Sequence, residues 1–396
     1  MDPKKTQLLV STSKSLEKVL RLLGINVSSY VGRLNNVALF VLLVIFLNHA
    51  NYECRNKDQC KRSTVKFLLV YSLRVLLALI ILSTSLFRPK LFAFPRQETF
   101  IMDSILELYG ARFTNKDIFL AHLQDIATAI IALLEVMKTF YNIITDDDKR
   151  LGHICLAVIN WYCRMCILIT NGLFSHHIYD IYLRSRELNK IAVQHSKETL
   201  SISYINSTTS SNLLFNKCNN AVITKFRSIQ HIHHGLYILA TKINTNFSLQ
   251  LLIMSAVCLT SIINNLYNIH YCIKTNLDII RIINNVHLAV FYALPFLYVS
   301  YICQRSRNAF RQMAIILHNA FLEYKSLRAE VVHFSLQLVH ENLTFTALGL
   351  FEINIPFMCS VAGAVATYAV MIIQLDTKFV IADNATTTTI TTITTT

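Results

Sequence analysis

Several polar and ionisable side chains lie inside long apolar stretches of this chain of 396 residues. Ionisable groups in an apolar environment are costly, so they usually pair with one another, bind a ligand or line a path for ions. We expect Arg74 and Glu135 to face a helix bundle and either pair or orient a polar ligand, with Lys138 as a rival partner. The uncharged members of this set supply hydrogen bonds and aromatic surface: Tyr71, Trp161, Asn264, Asn265, His287 and Phe291.

The cysteine and histidine residues do not form a metal or redox framework. Cys163 and Cys166 make a C-x-x-C in an apolar stretch without a second pair, which favours core packing over zinc or redox chemistry. His231 and His234 share a helix face, but without a carboxylate or thiol at matching spacing they favour a solvated or interface position. No hydrolytic, phosphoryl-transfer or redox motif and no phosphate-binding glycine-rich loop is evident. The sequence therefore predicts neither an enzyme nor a metal or cofactor site.

The elements that must position these residues are long apolar helices. Hydrophobic residues make up 53% of the chain and charged residues 15%, and a helix needs about 20 mostly apolar residues to cross a bilayer. We predict an all-α membrane protein with seven transmembrane helices. The predicted spans are Leu34–His49, Phe67–Phe87, Phe119–Ile144, Leu151–Ile178, Phe247–Ile269, Ile282–Cys303 and Gly349–Leu375.

The positive charge predicts the orientation of the chain in a membrane. A formal net charge of +14 would also suit nucleic-acid binding. However, most Lys and Arg residues fall in the N-terminus and the even-numbered loops, and cytoplasmic loops collect such residues. We therefore predict a lipid bilayer as the partner, no nucleic acid, an internal N-terminus and an external C-terminus.

The charge and hydropathy pattern divides the chain into five parts. Residues 1–33 form a cytosolic N-terminus, and residues 34–303 form a six-span bundle that includes the cytosolic segment 180–246. Its Ser/Thr/Asn-rich centre, Ser201–Asn220, is predicted to be a mobile loop. Residues 304–348 have the spacing of amphipathic helices, and residues 349–375 form the last span. The Thr-rich tail, 376–396, is predicted to be external and its end disordered, with Asn384 as a glycosylation acceptor.

The last span carries a recognisable motif. Residues 334–375 read FSLQLVHENLTFTALGLFEINIPFMCSVAGAVATYAVMIIQL, in which Thr367-Tyr368 and five apolar residues precede Gln374-Leu375. This pattern resembles the C-terminal TY-x5-QF signature of insect gustatory receptors, with Leu375 in place of Phe. That family comprises seven-span cation channels opened by tastants. The resemblance implies a non-selective, ligand-gated channel in the plasma membrane of sensory neuron dendrites.

The resemblance also assigns roles to residues and segments. It implies a homotetramer or heterotetramer around a central pore, held together by the cytosolic anchor helices of residues 304–348. The gate would lie at Gln374 and Leu375, continuing a stripe of Ala364, Thr367, Tyr368 and Met371 along one helix face. A tastant would bind within the outward-facing bundle, lined by the polar and aromatic candidates named above.

Two other functional classes compete with a channel. A G-protein-coupled receptor would place its N-terminus outside and carry an Arg-containing motif after the third span and an Asn-Pro near the end of the seventh. A transporter would show internal repeats or spans broken by Gly and Pro, for which Pro295 and Pro356 are slight support. The charge pattern opposes the first class, and no internal repeat supports the second.

Overall fold

The chain folds almost entirely into α-helices in a computed structural model that describes residue 23 and residues 30–56, 63–87, 96–111, 113–145, 151–206, 212–275, 279–321 and 327–393. The side chains of Tyr71, Leu375 and Asn384 lie outside the described residues. The helices are α1 Tyr30–Asn56, α2 Ser63–Phe87, α3 Arg96–Leu108, α4 Asn115–Thr145, α5 Leu151–Asn206, α6 Asn212–Thr275, α7 Ile279–Phe321, α8 Arg328–His340 and α9 Ile355–Ile393. Strands β1 Thr346–Ala347 and β2 Phe351–Glu352 separate α8 from α9. The predicted all-α fold class is therefore confirmed apart from this short hairpin.

Helices α5, α6 and α7 form the centre of the bundle. Helix α5 packs along α7, α4 and α6, while α2 packs on α6, and α1 on α2. Their apolar side chains form a continuous core that includes Leu82, Phe174, Phe247 and Phe296, and the C-x-x-C cysteines are buried in it. Lipid tails are as apolar as this core, so close packing and interhelical hydrogen bonds must hold membrane helices together. The buried polar contacts are therefore informative.

Within the described residues, five helices contain a stretch that is long and apolar enough to cross a bilayer: Asn115–Tyr141, Ala157–Glu198, Asn220–Lys274, Ile279–Asn319 and Ile355–Gln374. Helices α1 and α2 contain the shorter apolar stretches Gly32–Ile45 and Ser72–Phe87. Each predicted span thus overlaps an apolar helix. The number of crossings and their orientation stay predictions.

Two segments that we expected to be unstructured are largely helical. In the predicted loop Ser201–Asn220, α5 continues to Asn206 and α6 already begins at Asn212. Similarly, α9 continues through the Thr-rich tail to Ile393. Neither segment contains the Gly or Pro that would interrupt a helix, so Ser, Thr and Asn content alone is a poor indicator of loops here.

Helix α3 is an amphipathic element that the sequence interpretation missed. Arg184 of α5 donates two hydrogen bonds to the Asp103 carboxylate of α3, both at 2.8 Å, and Arg184 is buried. Such bidentate pairs are strong and directional. Gly235 of α6 lies against α3, where an added Cβ would come within 2.6 Å of Met102 Cε, the end of a flexible side chain. Helix α3 is thereby fixed across the middle of α5 and α6.

The last span begins later than predicted, because residues 346–352 form a hairpin. The loop between the paired residues Ala347 and Phe351 has three residues; Leu348 and Gly349 in it have positive φ, 51° and 74°, and the Leu350 N–H donates to the Ala347 carbonyl at 3.0 Å. The Asn354 side chain then accepts a hydrogen bond from the Phe357 backbone N–H at 2.8 Å, which is an N-cap. Helix α9 therefore starts at Ile355, and residues 349–354 are not part of the span.

Helix α8 docks on α6 through the histidines singled out above. Within the described residues, His233 and His234 contact the two oxygens of Glu341, and Gln337 donates to the same carboxylate. Burial raises the pKa of Glu341, but these hydrogen bonds outweigh burial and hold the pKa below its usual value. The predicted interface position is confirmed for His234, and its neighbour His233 joins the same contact.

Candidate functional site

A buried ion pair is the centre of the candidate site. The Glu135 carboxylate of α4 lies 2.9 Å from Arg164 Nε of α5. Glu135 is fully buried, and the Arg164 side chain is 11% exposed. Arg164 also donates to the Thr139 hydroxyl at 3.4 Å. Two opposite charges on adjacent helices thus compensate each other where either alone would be expensive.

Two further basic groups extend the pair toward α7. His287 Nδ1 lies 3.5 Å from the second oxygen of Glu135. Lys138, one turn beyond Glu135 on α4, approaches the same His287 nitrogen at 3.0 Å. Because a nitrogen that accepts from an ammonium group holds no proton, this contact implies neutral His287 with its proton on Nε2. The three helices α4, α5 and α7 therefore meet at one polar cluster.

Arg74 enters the cluster from α2. Its guanidinium donates to the Ser261 hydroxyl of α6 at 3.1 Å and lies 4.7 Å from the centre of the Tyr292 ring. Tyr292 is within electrostatic reach of Arg74, Arg164 and Glu135 alike. A guanidinium over an aromatic face is a favourable cation–π arrangement, especially when desolvated. Arg74 and the ion pair are therefore parts of the same cluster.

The remaining candidates differ in their placement. Asn265 is buried one turn after Ser261, and Phe291 is buried with its ring edge-on to Tyr292 at 5.2 Å. Trp161 precedes Arg164 by one turn and is half-buried, as is Asn264. We call the group from these five helices the polar cluster; its members are Arg74, Glu135, Lys138, Trp161, Arg164, Ser261, Asn265, His287, Phe291 and Tyr292.

The space beside the polar cluster is small. Residues of α5, α6 and α7, among them Asn171, Cys258, Phe291 and Tyr292, enclose a cavity of about 10 Å³. That is room for about one water molecule. A larger ligand must therefore displace side chains or separate helices in order to enter.

One expected pairing is wrong and one expectation is confirmed. Arg74 and Glu135 both face the bundle interior, as predicted. They do not pair with each other, however, because Arg164 holds Glu135 and Arg74 turns to Ser261 and Tyr292. Arg164 was missed, although its position three residues after Trp161 places both on one helix face.

The stripe on α9 lies mostly uncovered. Thr367, Tyr368, Met371 and Gln374 are exposed and Ala364 is half-buried, whereas α9 packs on the bundle mainly through Met358, Val361 and Val365. Tyr368 and Met371 are each 50% exposed. The chain's own helices therefore leave the stripe uncovered, together with much of the rest of α9.

The hairpin connects the bundle to α9. Arg307 in the C-terminal half of α7 pairs with Glu352 at 2.6 Å, and Asn244 of α6 accepts from the Thr346 backbone N–H at 3.1 Å. Phe351 stacks on Phe357 of α9, with ring centres 4.4 Å apart. Helices α6 and α7, which also carry the polar cluster, thus contact the start of α9 through a short, rigid link.

This arrangement of a long helical bundle and an uncovered last helix occurs in a known family. Residues 14–379 match the family described as 7tm Chemosensory receptor. The chain belongs to this chemosensory receptor family. The resemblance to gustatory receptors inferred from residues 334–375 is thus confirmed at the level of the family.

Curated relatives of this chemosensory receptor come from Drosophila melanogaster. Putative gustatory receptor 28b is 25% identical over 228 residues, 52% of the chain and 48% of the relative. Gustatory receptor 23a is 28% identical over 153 residues, covering 38% and 41%, and Putative gustatory receptor 2a is 20% identical over 178 residues, covering 39% and 42%. The chain thus spans less than half the length of each of these relatives.

Solved insect olfactory receptors share the fold of this chemosensory receptor. The olfactory receptor OR5 from Machilis hrabei superposes with a TM-score of 0.66 at 11% identity, over 93% of this chain and 98% of that chain. The same receptor in complex with eugenol gives a TM-score of 0.60 at 12% identity, over 93% and 99%. At such low identity the likeness establishes the fold alone.

Proposed function

We propose that this protein is a ligand-gated, non-selective cation channel of the gustatory type, opened by a small tastant. Four copies, or copies mixed with related subunits, surround a pore lined by α9. The narrow gate lies at Gln374 and Leu375, the latter outside the described side chains. The polar cluster, together with Asn264 and with Tyr71 as a candidate from the sequence alone, is the proposed ligand site.

The observation that carries this proposal is the uncovered stripe on α9. A membrane helix whose exposed face carries hydroxyl and amide groups as well as apolar side chains is suited to face other subunits or water in a pore. Four such stripes around an axis would provide hydroxyl groups from Thr367, an apolar ring from Met371 and an amide ring from Gln374. Apolar rings gate by dewetting, and amides replace part of an ion's hydration shell.

The hairpin supplies a route from ligand to pore. A ligand that enters the polar cluster must move α7 relative to α4 and α5, because the existing cavity is too small. The Arg307–Glu352 pair and the stacked Phe351 and Phe357 rings would transmit that movement to the start of α9. Opening is limited by the ligand's difference in affinity between open and closed states.

The location and the subdivision of the chain follow from the same proposal. The channel would sit in the plasma membrane of a sensory neuron with seven crossings. Residues 1–33 and 180–246 would be cytosolic, residues 304–348 would hold the subunits together, and residues 376–396 would be external. That an olfactory receptor of this fold forms a complex with eugenol supports a small organic ligand.

The proposal is tested with purified full-length protein in planar bilayers, challenged with sugars, alkaloids and organic acids. We expect currents that require ligand, and a reversal potential that hardly moves when Na⁺ replaces K⁺. Native mass spectrometry of the same sample should show four subunits. Stable monomers, or a folded protein that binds ligands without passing current, would refute the channel.

A tag after residue 396 tests the orientation. With an internal N-terminus and seven crossings, we expect antibody to stain the tag on intact cells. The Asn384 acceptor lies close to the membrane and is a weaker probe, while the acceptors at Asn26, Asn206, Asn246 and Asn342 should stay unmodified. Staining that appears only after permeabilisation would contradict this topology, and a tag before residue 1 serves as the opposite control.

A further inference from the structure

The polar cluster contains more positive than negative charge. Arg74, Arg164 and Lys138 surround one carboxylate, Glu135. Helices α2, α6 and α7 carry no acidic residue along their whole lengths, and the first acidic residue of α5 is Asp180. The nearest other acid on α4, Asp125, lies ten residues or about 15 Å before Glu135 along the helix. The excess positive charge therefore has no local counterion in the five helices.

Arg74 is a buried cation held by neutral groups. Among the described residues, no Asp or Glu lies within ion-pair distance of it, since Glu135 pairs with Arg164. Its contacts are the neutral Ser261 hydroxyl and the Tyr292 ring, although only 9% of Arg74 is exposed. An arginine keeps its charge in any protein environment. A buried guanidinium with neutral neighbours is a strong attractor for an anion.

The polar cluster also contains hydrogen-bond donors without acceptors. Among the described residues, the buried atoms without a hydrogen-bond partner include Arg74 Nε, Trp161 Nε1, Asn265 Nδ2 and Tyr292 Oη. Asn265 and Tyr292 are 2% and 4% exposed. Unsatisfied donors in a buried site cost free energy unless a ligand or water accepts from them. Acceptors without a hydrogen-bond donor occur here too: Asn284 Oδ1, one turn before His287, and the two Glu135 oxygens, of which the carboxylate is neutralised by its ion pair with Arg164.

We infer that the polar cluster recognises a small organic acid, whose carboxylate binds Arg74 and accepts hydrogen bonds from the neighbouring donors. A hydroxyl beside the carboxylate would pair with Tyr292 Oη, which has no hydrogen-bond partner and belongs to the ring that Arg74 contacts, so 2-hydroxy acids fit best. The apolar remainder of the ligand would enlarge the cavity beside Phe291 and Met254. This inference names the ligand class of the proposed channel and rests on that proposal for its physiological meaning.

Binding is measured without relying on current. Purified full-length protein in nanodiscs is titrated at neutral pH with sodium lactate and sodium butyrate, and in parallel with lactamide and butyramide, while Tm and calorimetric heat are recorded. We expect the two carboxylates to raise Tm and the two amides to have little effect, with lactate binding more tightly than butyrate. Equal effects of acids and amides, or an equal effect of sodium chloride, would overturn the inference.

Variants then locate the anion. Arg74→Gln should weaken lactate binding by about tenfold or more, the scale of a lost charge-assisted hydrogen bond, whereas Arg74→Lys should retain part of the affinity. Arg311→Gln removes an exposed arginine of α7 and should leave binding unchanged. Should Arg74→Gln fold poorly, Trp161→Phe removes one donor with little change of shape and should still weaken lactate. Unchanged lactate binding in a folded Arg74 or Trp161 variant would place the anion elsewhere.

Current recordings separate this inference from the channel proposal. If lactate binds in an Arg74-dependent manner but never evokes current, the inferred ligand class is supported and the channel proposal is refuted. If neutral tastants open the pore while no acid binds, the channel proposal is supported and the inferred ligand class is refuted.

Discussion

Replacing Leu375 with alanine is expected to raise the ligand-free current about tenfold. Four shortened side chains at the proposed gate would widen and hydrate an apolar constriction, and dewetting is the barrier that such a ring supplies. The measurement is whole-cell current without ligand, normalised to the amount of protein at the surface. Val370→Ala is the matched control, because Val370 is exposed on α9 but lies about 140° around the helix from Leu375.

The neighbouring amide provides a second readout of the same gate. Gln374→Glu would place a ring of four carboxylates at the outer end of the stripe, and we expect divalent cations to permeate or block more strongly. The proposal is contradicted if both variants reach the surface normally and behave like wild type. That is, Leu375→Ala would show the wild-type ligand-free current and Gln374→Glu the wild-type ion selectivity. The pore would then not be lined by α9.

Breaking the Glu135–Arg164 pair is expected to have the largest effect on stability. Glu135→Gln leaves the Arg164 guanidinium without its carboxylate in a buried site, and losing one partner of such a pair typically costs about 3–5 kcal/mol. We expect a large fall in surface expression and in the Tm of the purified protein. The exposed Arg227–Glu330 pair is the matched control, and Arg227→Gln should change either measurement little.

Exchange of the two charges distinguishes pairing from a ligand role. Glu135→Arg with Arg164→Glu restores opposite charges, so the double variant should recover part of the lost stability although each single variant fails. A double variant that expresses well but responds poorly to ligand would show that ligand binding also depends on which helix carries the positive charge and which the negative charge. Single variants with wild-type stability would mean that the pair has no structural role.

The sequence by itself determined the helical class, the apolar segments and the family. Hydropathy and the Thr367-Tyr368 to Gln374-Leu375 motif are local properties, readable before any contact is known. The inward position of Arg74 and Glu135 was also predictable, because a charge in an apolar helix can only face the bundle. That the stripe residues of α9 share one helix face followed from helical periodicity, whereas their exposure became evident only from the structure.

The tertiary structure decided which helices meet and at what rotation and depth. A shift of a few ångströms along α5 decides whether Glu135 reaches Arg164 or Arg74, and no local pattern sets that shift. The same is true of the Arg184–Asp103 contact that fixes α3 and of the Glu341 contacts with His233 and His234, whose partners lie far apart in the chain. The packing of the whole bundle sets the interhelical geometry. That geometry therefore determines which polar residues meet in the polar cluster and which of its positive charges are paired.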